Sequence, residues 1–258
     1  MKLPFLTTLL LIFVVFCGSV NAQQRKRSPV VSKPKVAAAQ KSSEIGQTAV
    51  VVDETLAVLR KNPSLFSESV HRMSRGRMVQ ILGTTEADGV KFYRVTVPPK
   101  NFGWVQADAV FGKFRAGDEE RLATLVQALD GFDQIEAAVE FFELYPTSKF
   151  RPSILLLFGD LIEEEAAKIS KHANNNLKRA EMAASAAPLH SYYLNYNRLD
   201  RYRRLGIIFL FNAAAKQFHY DGSSWKEIIA KFATSPEVAE AQKRLDALKI
   251  KMEKPTSK

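Results

Sequence analysis

Along the chain the rhythm of apolar positions changes once. Between Thr48 and Phe111 they come in short runs, Ala49 to Val52, Leu56 to Leu59, Met78 to Leu82, Phe92 to Val97 and Trp104-Val105, separated by Asn62-Pro63, Gly76, Asp88-Gly89, Pro98-Pro99 and Gly103. Runs of this length, rich in β-branched and aromatic residues, predict strands, and the residues between them supply bends. Five such strands within so short a stretch predict a small closed barrel over residues 48–112, because closure removes the unpaired edges of an open sheet.

After Gly112 the period lengthens. Leu122, Leu125, Val126 and Leu129 repeat at i, i+3, i+4 and i+7, as do Ile135, Ala138, Val139 and Phe142, which predicts two amphipathic helices separated by Gly131. Further helices are expected over 152–172, 177–187, 204–218, 224–233 and 236–252. In the last, Val238, Ala241, Leu245, Leu248 and Met252 form a narrow seam, and Ser235-Pro236 supplies a cap and a preset first turn. The expected fold class is therefore α+β in two domains, a five-stranded barrel followed by an all-α region over 117–253.

The first 22 residues read differently. One charge at Lys2, an apolar core from Leu9 to Phe16 and the small-residue ending Val20-Asn21-Ala22 form the three-part layout of a secretory signal peptide cleaved after Ala22. An uncleaved inner-membrane anchor is the alternative. Export places the folded body in the periplasm or cell envelope, and cleavage removes the only cysteine, so thiol nucleophiles and redox roles drop out. The chain carries a net charge of +10. Half of it lies in residues 23–47, where six basic residues face Glu44 alone, which predicts a disordered basic linker able to approach anionic surfaces. An exported protein is not expected to meet nucleic acid.

Three spaced motifs in the strand region resemble the bacterial Src-homology-3-type (SH3-like) domain of exported and cell-wall proteins. They are Leu59-Arg60-Lys61-Asn62-Pro63-Ser64, Arg75-Gly76-Arg77 followed by Met78 to Gly83, and the pair Phe92-Tyr93-Arg94-Val95 and Gly103-Trp104-Val105. Asn62 stands where the family usually has Gly, and Phe92 where it usually has Trp. The resemblance implies binding of peptidoglycan peptide, or another short peptide, in a shallow groove with aromatic walls. Its candidate residues are Tyr93 and Trp104 for flat apolar contact, Arg60 for a peptide carboxylate and Asn62 at the bend. Strand alternation sets Tyr93 on the face opposite Phe92 and Arg94.

In the helical region, Phe141 to Ser148 aligns with Ile228 to Ser235, and these corners resemble those of tetratricopeptide-like repeats. The resemblance implies a scaffold that docks an envelope protein. Between the corners Tyr192, Tyr193, Tyr196 and Tyr202 interleave with Arg198, Arg201, Arg203 and Arg204. Tyr193, Tyr196, Arg198 and Arg201 are the candidate partner surface, against the alternative of a solvated Arg face whose tyrosines pack inward.

Candidate chemistry changes this picture little. His71, His172, His190 and His219 show no metal-ligand spacing, and no phosphate loop, nucleophile elbow or Ser-x-x-Lys motif is present. No catalytic residue, metal or cofactor is assigned. The reading is a non-enzymatic exported binding or scaffold protein. A purely structural assembly factor and a wall-modifying enzyme are the alternatives.

Overall fold

The structure, a computed structural model, describes residues 42–97 and 101–253. The signal segment, residues 23–41 and the Pro98-Pro99 bend lie outside them. Among the described residues no helix is long and apolar enough to cross a membrane.

Seven strands form the first half: β1 (Thr48–Val51), β2 (Val58–Arg60), β3 (Ser69–Arg72), β4 (Met78–Ala87), β5 (Val90–Val97), β6 (Asn101–Gln106) and β7 (Val110–Phe111). They make one antiparallel sheet in the order β3-β2-β6-β5-β4-β1-β7. The five-stranded closed barrel expected from the sequence is thus corrected to a seven-stranded half-barrel with β3 and β7 at its edges. The reason lies at the β7 edge. Val52 and Phe111 turn away from the sheet's own core and join the hydrophobic cluster of the helices, so helices cover the edge that barrel closure would otherwise have removed.

Alternation builds the sheet core. Val79 and Ile81 on β4, Tyr93, Val95 and Val97 on β5, and Val105 on β6 point inward with Leu59 of β2. Asp88 and Gly89, both at positive φ (53° and 72°), form the two-residue turn that joins β4 to β5. A bulge at Leu82 re-aims β4. Gly103 is in the middle of β6, not at a bend. A Cβ there would lie 2.7 Å from Leu59 Cγ and 2.8 Å from the Arg60 carbonyl oxygen, so only Gly allows β2 to approach β6 this closely. Before β1, Glu44 is buried, accepting from Tyr93 Oη at 2.7 Å and Lys91 Nζ at 2.6 Å. Residues 42–47 therefore pack on the sheet.

The second half holds α1 (Asp118–Ala128), α2 (Gly131–Leu144), α3 (Arg151–Asn176), α4 (Arg179–Ala184), α5 (Leu189–Leu194), α6 (Asp200–Arg203), α7 (Ser223–Lys231) and α8 (Glu237–Glu253). It is not all-α. Where a helix was expected over 204–218, the chain makes a hairpin of β8 (Phe209–Asn212) and β9 (Gln217–Tyr220). Asn212 Oδ1 accepts the N–H groups of Ala214 and Ala215, and Lys216 closes the loop in the left-handed conformation (φ 54°). The run Ile207 to Phe211 is β-branched and aromatic, which suits a strand better than a helix. β9 lies along α3, fixed by Phe218 N–H to Ser170 Oγ at 2.7 Å and Tyr220 N–H to Glu163 Oε2 at 2.8 Å.

The two aligned corners share their local geometry. Tyr145 and Phe232 each donate N–H to the carbonyl four residues back, Ser148 and Ser235 to the carbonyl three back, and each serine hydroxyl accepts from the N–H two residues on. Between the corners, however, stand the hairpin and three short helices.

Sheet and helices are pinned by two arginines. Arg115 donates to the Ala107 and Val110 carbonyls and to buried Asp118. Arg75, with its side chain 8% exposed, donates to the carbonyls of Val52 on the sheet side and Asp133 on α2, and pairs with Glu136 at 3.2 Å. The described residues belong to one compact unit.

Candidate binding face on the sheet

Three strands set the site. In register, Arg60 of β2 pairs with Trp104 of β6, and Trp104 pairs with Arg94 of β5. Opposed residues in a sheet share a face, so one half-buried indole stands between two guanidinium groups on the outer surface. The next row on the same face joins Phe102 to Thr96 and Thr96 to Gln80. Phe102 is 56% exposed and Leu82, at the bulge, is 39% exposed.

One end of this face is roofed. Phe92 shares the parity of Arg94 and yet is fully buried. The loop that follows β2 reaches this end of the sheet, where Leu65 N–H donates to Asp88 Oδ2 at 2.8 Å at the β4–β5 turn. The loop is stapled from below. Arg60 Nη1 donates to the Ser67 carbonyl at 2.8 Å, and Asn62 N–H donates to Ser67 Oγ at 2.9 Å. Asn62 is exposed and is not among the residues at positive φ, so the bend does not use the left-handed conformation for which Asn was read as a substitute. Phe66 projects from the loop 91% exposed, an unusual position for a phenyl ring.

The electrostatics are one-sided. The Arg94 side chain makes no hydrogen bond or ion pair among the described residues, and Arg60 Nε is buried without a partner. Two acids of the adjoining loop and turn are occupied: Glu68 by Lys61 at 2.7 Å, and Asp88, whose carboxyl the bonds from Ser64 and the Leu65 N–H hold below the usual range. A face of aromatic rings with uncompensated guanidinium groups suits an extended ligand that carries carboxylates.

Of the groove residues read from the sequence, the structure brings together Arg60 and Trp104 and puts Asn62 on the adjoining loop. Tyr93 is elsewhere. It is fully buried in the sheet's interior, with its hydroxyl on Glu44 and its ring 6.4 Å edge-on to Phe114. Burial, then the Glu44 bond, push its phenol well above the usual range. Alternation gave its parity correctly but not which face was inner. Arg94, Phe102 and Phe66 were missed. The Val95 and Val97 that share the parity of Tyr93 were the available signal, since they mark that row as core.

In the Tyr/Arg segment the tyrosines turn inward and the arginines outward: Tyr193 and Tyr202 are buried, Tyr192 and Tyr196 half-buried, and Arg198, Arg201, Arg203 and Arg204 exposed. Tyr193 is buried and stacked on Phe211 at 4.6 Å, with its hydroxyl on Asn174 Oδ1 at 2.6 Å. Tyr196 bonds His172 through its hydroxyl. Arg201 lies over the rings of Phe132 at 4.5 Å and Tyr202 at 4.7 Å and donates to Tyr202 Oη, which donates to Glu165. Arg198 is exposed. Tyr193 and Tyr196 thus brace the hairpin and α3, whereas Arg198 and Arg201 lie at the surface.

Comparison of the chain with family models, with curated proteins and with solved structures finds no match.

Proposed function

We propose that this chain is a non-enzymatic, exported binding protein of the cell envelope whose outer sheet face holds a short, extended, carboxylate-bearing peptide such as that of peptidoglycan, while its helical half serves a protein partner. The row Arg60–Trp104–Arg94 carries the reading. A peptide laid across it would rest apolar groups on Trp104 and Phe102 and pair its carboxylates with Arg94 and Arg60, with exposed Phe66 as a flank. Export and the wall setting follow from the signal-peptide layout and the resemblance of the strand motifs, and the absence of any catalytic motif in the sequence favours binding over turnover.

The test is cosedimentation of the protein with purified sacculi, alongside fluorescence of Trp104 titrated with soluble wall peptides. Trp104→Ala and Arg94→Ala should each weaken binding by about tenfold or more, in line with about 1–3 kcal/mol for a stacked ring or a charge-assisted pair. Raised salt should weaken it further. Pelleting that neither substitution changes, in folded protein, would remove the sheet face from the function.

A further inference from the structure

A cleft of about 550 Å³ lies between α1 and the edge of the sheet at β7. Along it α1 contributes Gly117, Glu120, Arg121, Thr124, Leu125 and Ala128, at i, i+3, i+4, i+7, i+8 and i+11, which is one continuous face of the helix. At the rise of an α-helix that face makes a groove about 16 Å long, enough for about five residues of extended chain. The floor is apolar and joins the two cores. Leu56 packs against the sheet cluster, whereas Phe111 and Leu125 belong with the helical one. Ala128 continues the floor, exposed, at the far end of α1.

Charge gives the groove its polarity. Asp53, Asp108 and Glu120 line it against Arg121 alone, a balance of 1 − 3 = −2 on a chain whose net charge is +10. Arg121 is engaged within the fold, 2.9 Å from Asp108 and 3.0 Å from buried Asp118, with its guanidinium 5.1 Å from the centre of the Phe111 ring. Asp53 accepts only the N–H groups of Thr55 and Leu56, and the Glu120 side chain makes no hydrogen bond or ion pair among the described residues. The fold therefore brings no cation to these two carboxylates. An anionic ligand would meet like charge here, and one that is apolar throughout would leave the acidic end unmatched. A chain that offers a cation at one end and apolar side chains along the rest complements both features.

We propose that this groove docks an extended basic segment of a protein partner, with a Lys or Arg beside Glu120 and an apolar side chain two residues away on Leu125. The spacing follows from the two backbones. Glu120 and Leu125 are five residues apart on α1, a rise of about 7.5 Å, and alternate side chains of an extended chain lie about 6.6–6.8 Å apart on one face. The proposal rests on the reading that a protein partner is held outside the sheet face, and it gives that partner its chemistry.

The test is an array of end-capped peptides Xaa-Ser-Yaa-Ser-Leu, and the same peptides in reversed order, with every residue type at Xaa and Yaa, probed with the full-length protein. Peptides with Lys or Arg at Xaa and Leu, Ile, Val or Phe at Yaa should retain the most protein. The best of them, labelled with fluorescein, is then titrated in solution and followed by anisotropy. Glu120→Lys should weaken it at least about fivefold and should improve the same peptide carrying Glu at Xaa. Ala128→Arg, which obstructs the apolar end, should weaken both. Glu120 and Ala128 are exposed on α1, so neither change should disturb folding. Arg94→Ala should leave the basic peptide unaffected, which separates this groove from the sheet face. No preference for a basic residue on the array, or no saturable binding up to about 1 mM, would overturn the proposal. So would an affinity that Glu120→Lys leaves unchanged, or one that Arg94→Ala removes, and none of these results would touch binding of carboxylate-bearing peptides on the sheet.

Discussion

At the scale of single residues, the least comfortable charge in the molecule is Glu140 on α2. Its carboxylate lies against Gly76, where even a Cβ would come within 2.7 Å of Oε1. Burial first, then the neighbouring Glu143 and Glu136, push its carboxyl up to about 7, with Arg75 pulling the other way. The folded protein therefore holds this proton more tightly than the unfolded chain does. The resulting stability is fully present below the ordinary glutamate range near 4.5 and is lost as pH rises through about 7. Glu140→Gln should raise stability by about 1–2 kcal/mol at pH 8, after allowance for screening by solvent at this half-buried position, and by little at pH 4.5. Urea midpoints of the two proteins at both pH values check this, and a gain that does not depend on pH would refute it. Residue-level chemistry of this kind was not legible in the sequence. The Arg75-Gly76-Arg77 run was readable as a turn motif, but that its glycine makes room for a helix carboxylate 64 positions later depends on packing.

At the scale of elements, what could be read depended on how many residues voted. Ten-residue β4 and eight-residue β5, with Asp88-Gly89 between them, have alternation and turn chemistry in agreement, and both were visible. β3 carries one apolar residue in four and β7 is two residues long, so neither has a pattern of its own. Both exist because a neighbouring strand offers hydrogen bonds. The hairpin of β8 and β9 failed for the opposite reason. Its apolar run is followed by Ala213, Ala214 and Ala215, strong helix formers that here occupy a loop capped by Asn212. Lys216 gives a test with opposite signs for the two readings. In the left-handed position it occupies, Lys216→Gly should stabilise the protein by about 0.5–1 kcal/mol, whereas in a helix interior the same change would cost about 1 kcal/mol. Thermal or urea denaturation of the variant decides between them.

At the scale of the whole molecule, the question is whether sheet and helices fold as one. Two hydrophobic clusters exist, but Val52 and Phe111 of the sheet region belong to the helical one, and Tyr145 of the corner after α2 donates to the Gly112 carbonyl at 3.3 Å. Arg75 is the strongest tie. It bridges the Val52 and Asp133 carbonyls, and its charge is the one that offsets Glu136 and Glu140 at the junction. Removing a cation from such a site leaves carboxylates buried against each other, so Arg75→Ala should cost about 3–5 kcal/mol. The two tryptophans fall one to each half, Trp104 on β6 and Trp225 on α7, which makes the coupling measurable. In Trp225→Phe protein, Trp104 fluorescence reports the sheet while far-ultraviolet dichroism near the helix minimum reports mainly the helices. If the junction welds the halves, the two signals share one urea midpoint, and adding Arg75→Ala moves both down together. A fluorescence midpoint that falls alone, with the helical signal unmoved, would mean that the sheet is held by its own core and that the junction only orients it. That outcome would also bear on the binding face, since Arg60, Trp104 and Arg94 would then sit on a module able to present its ligand independently of whatever the helices hold.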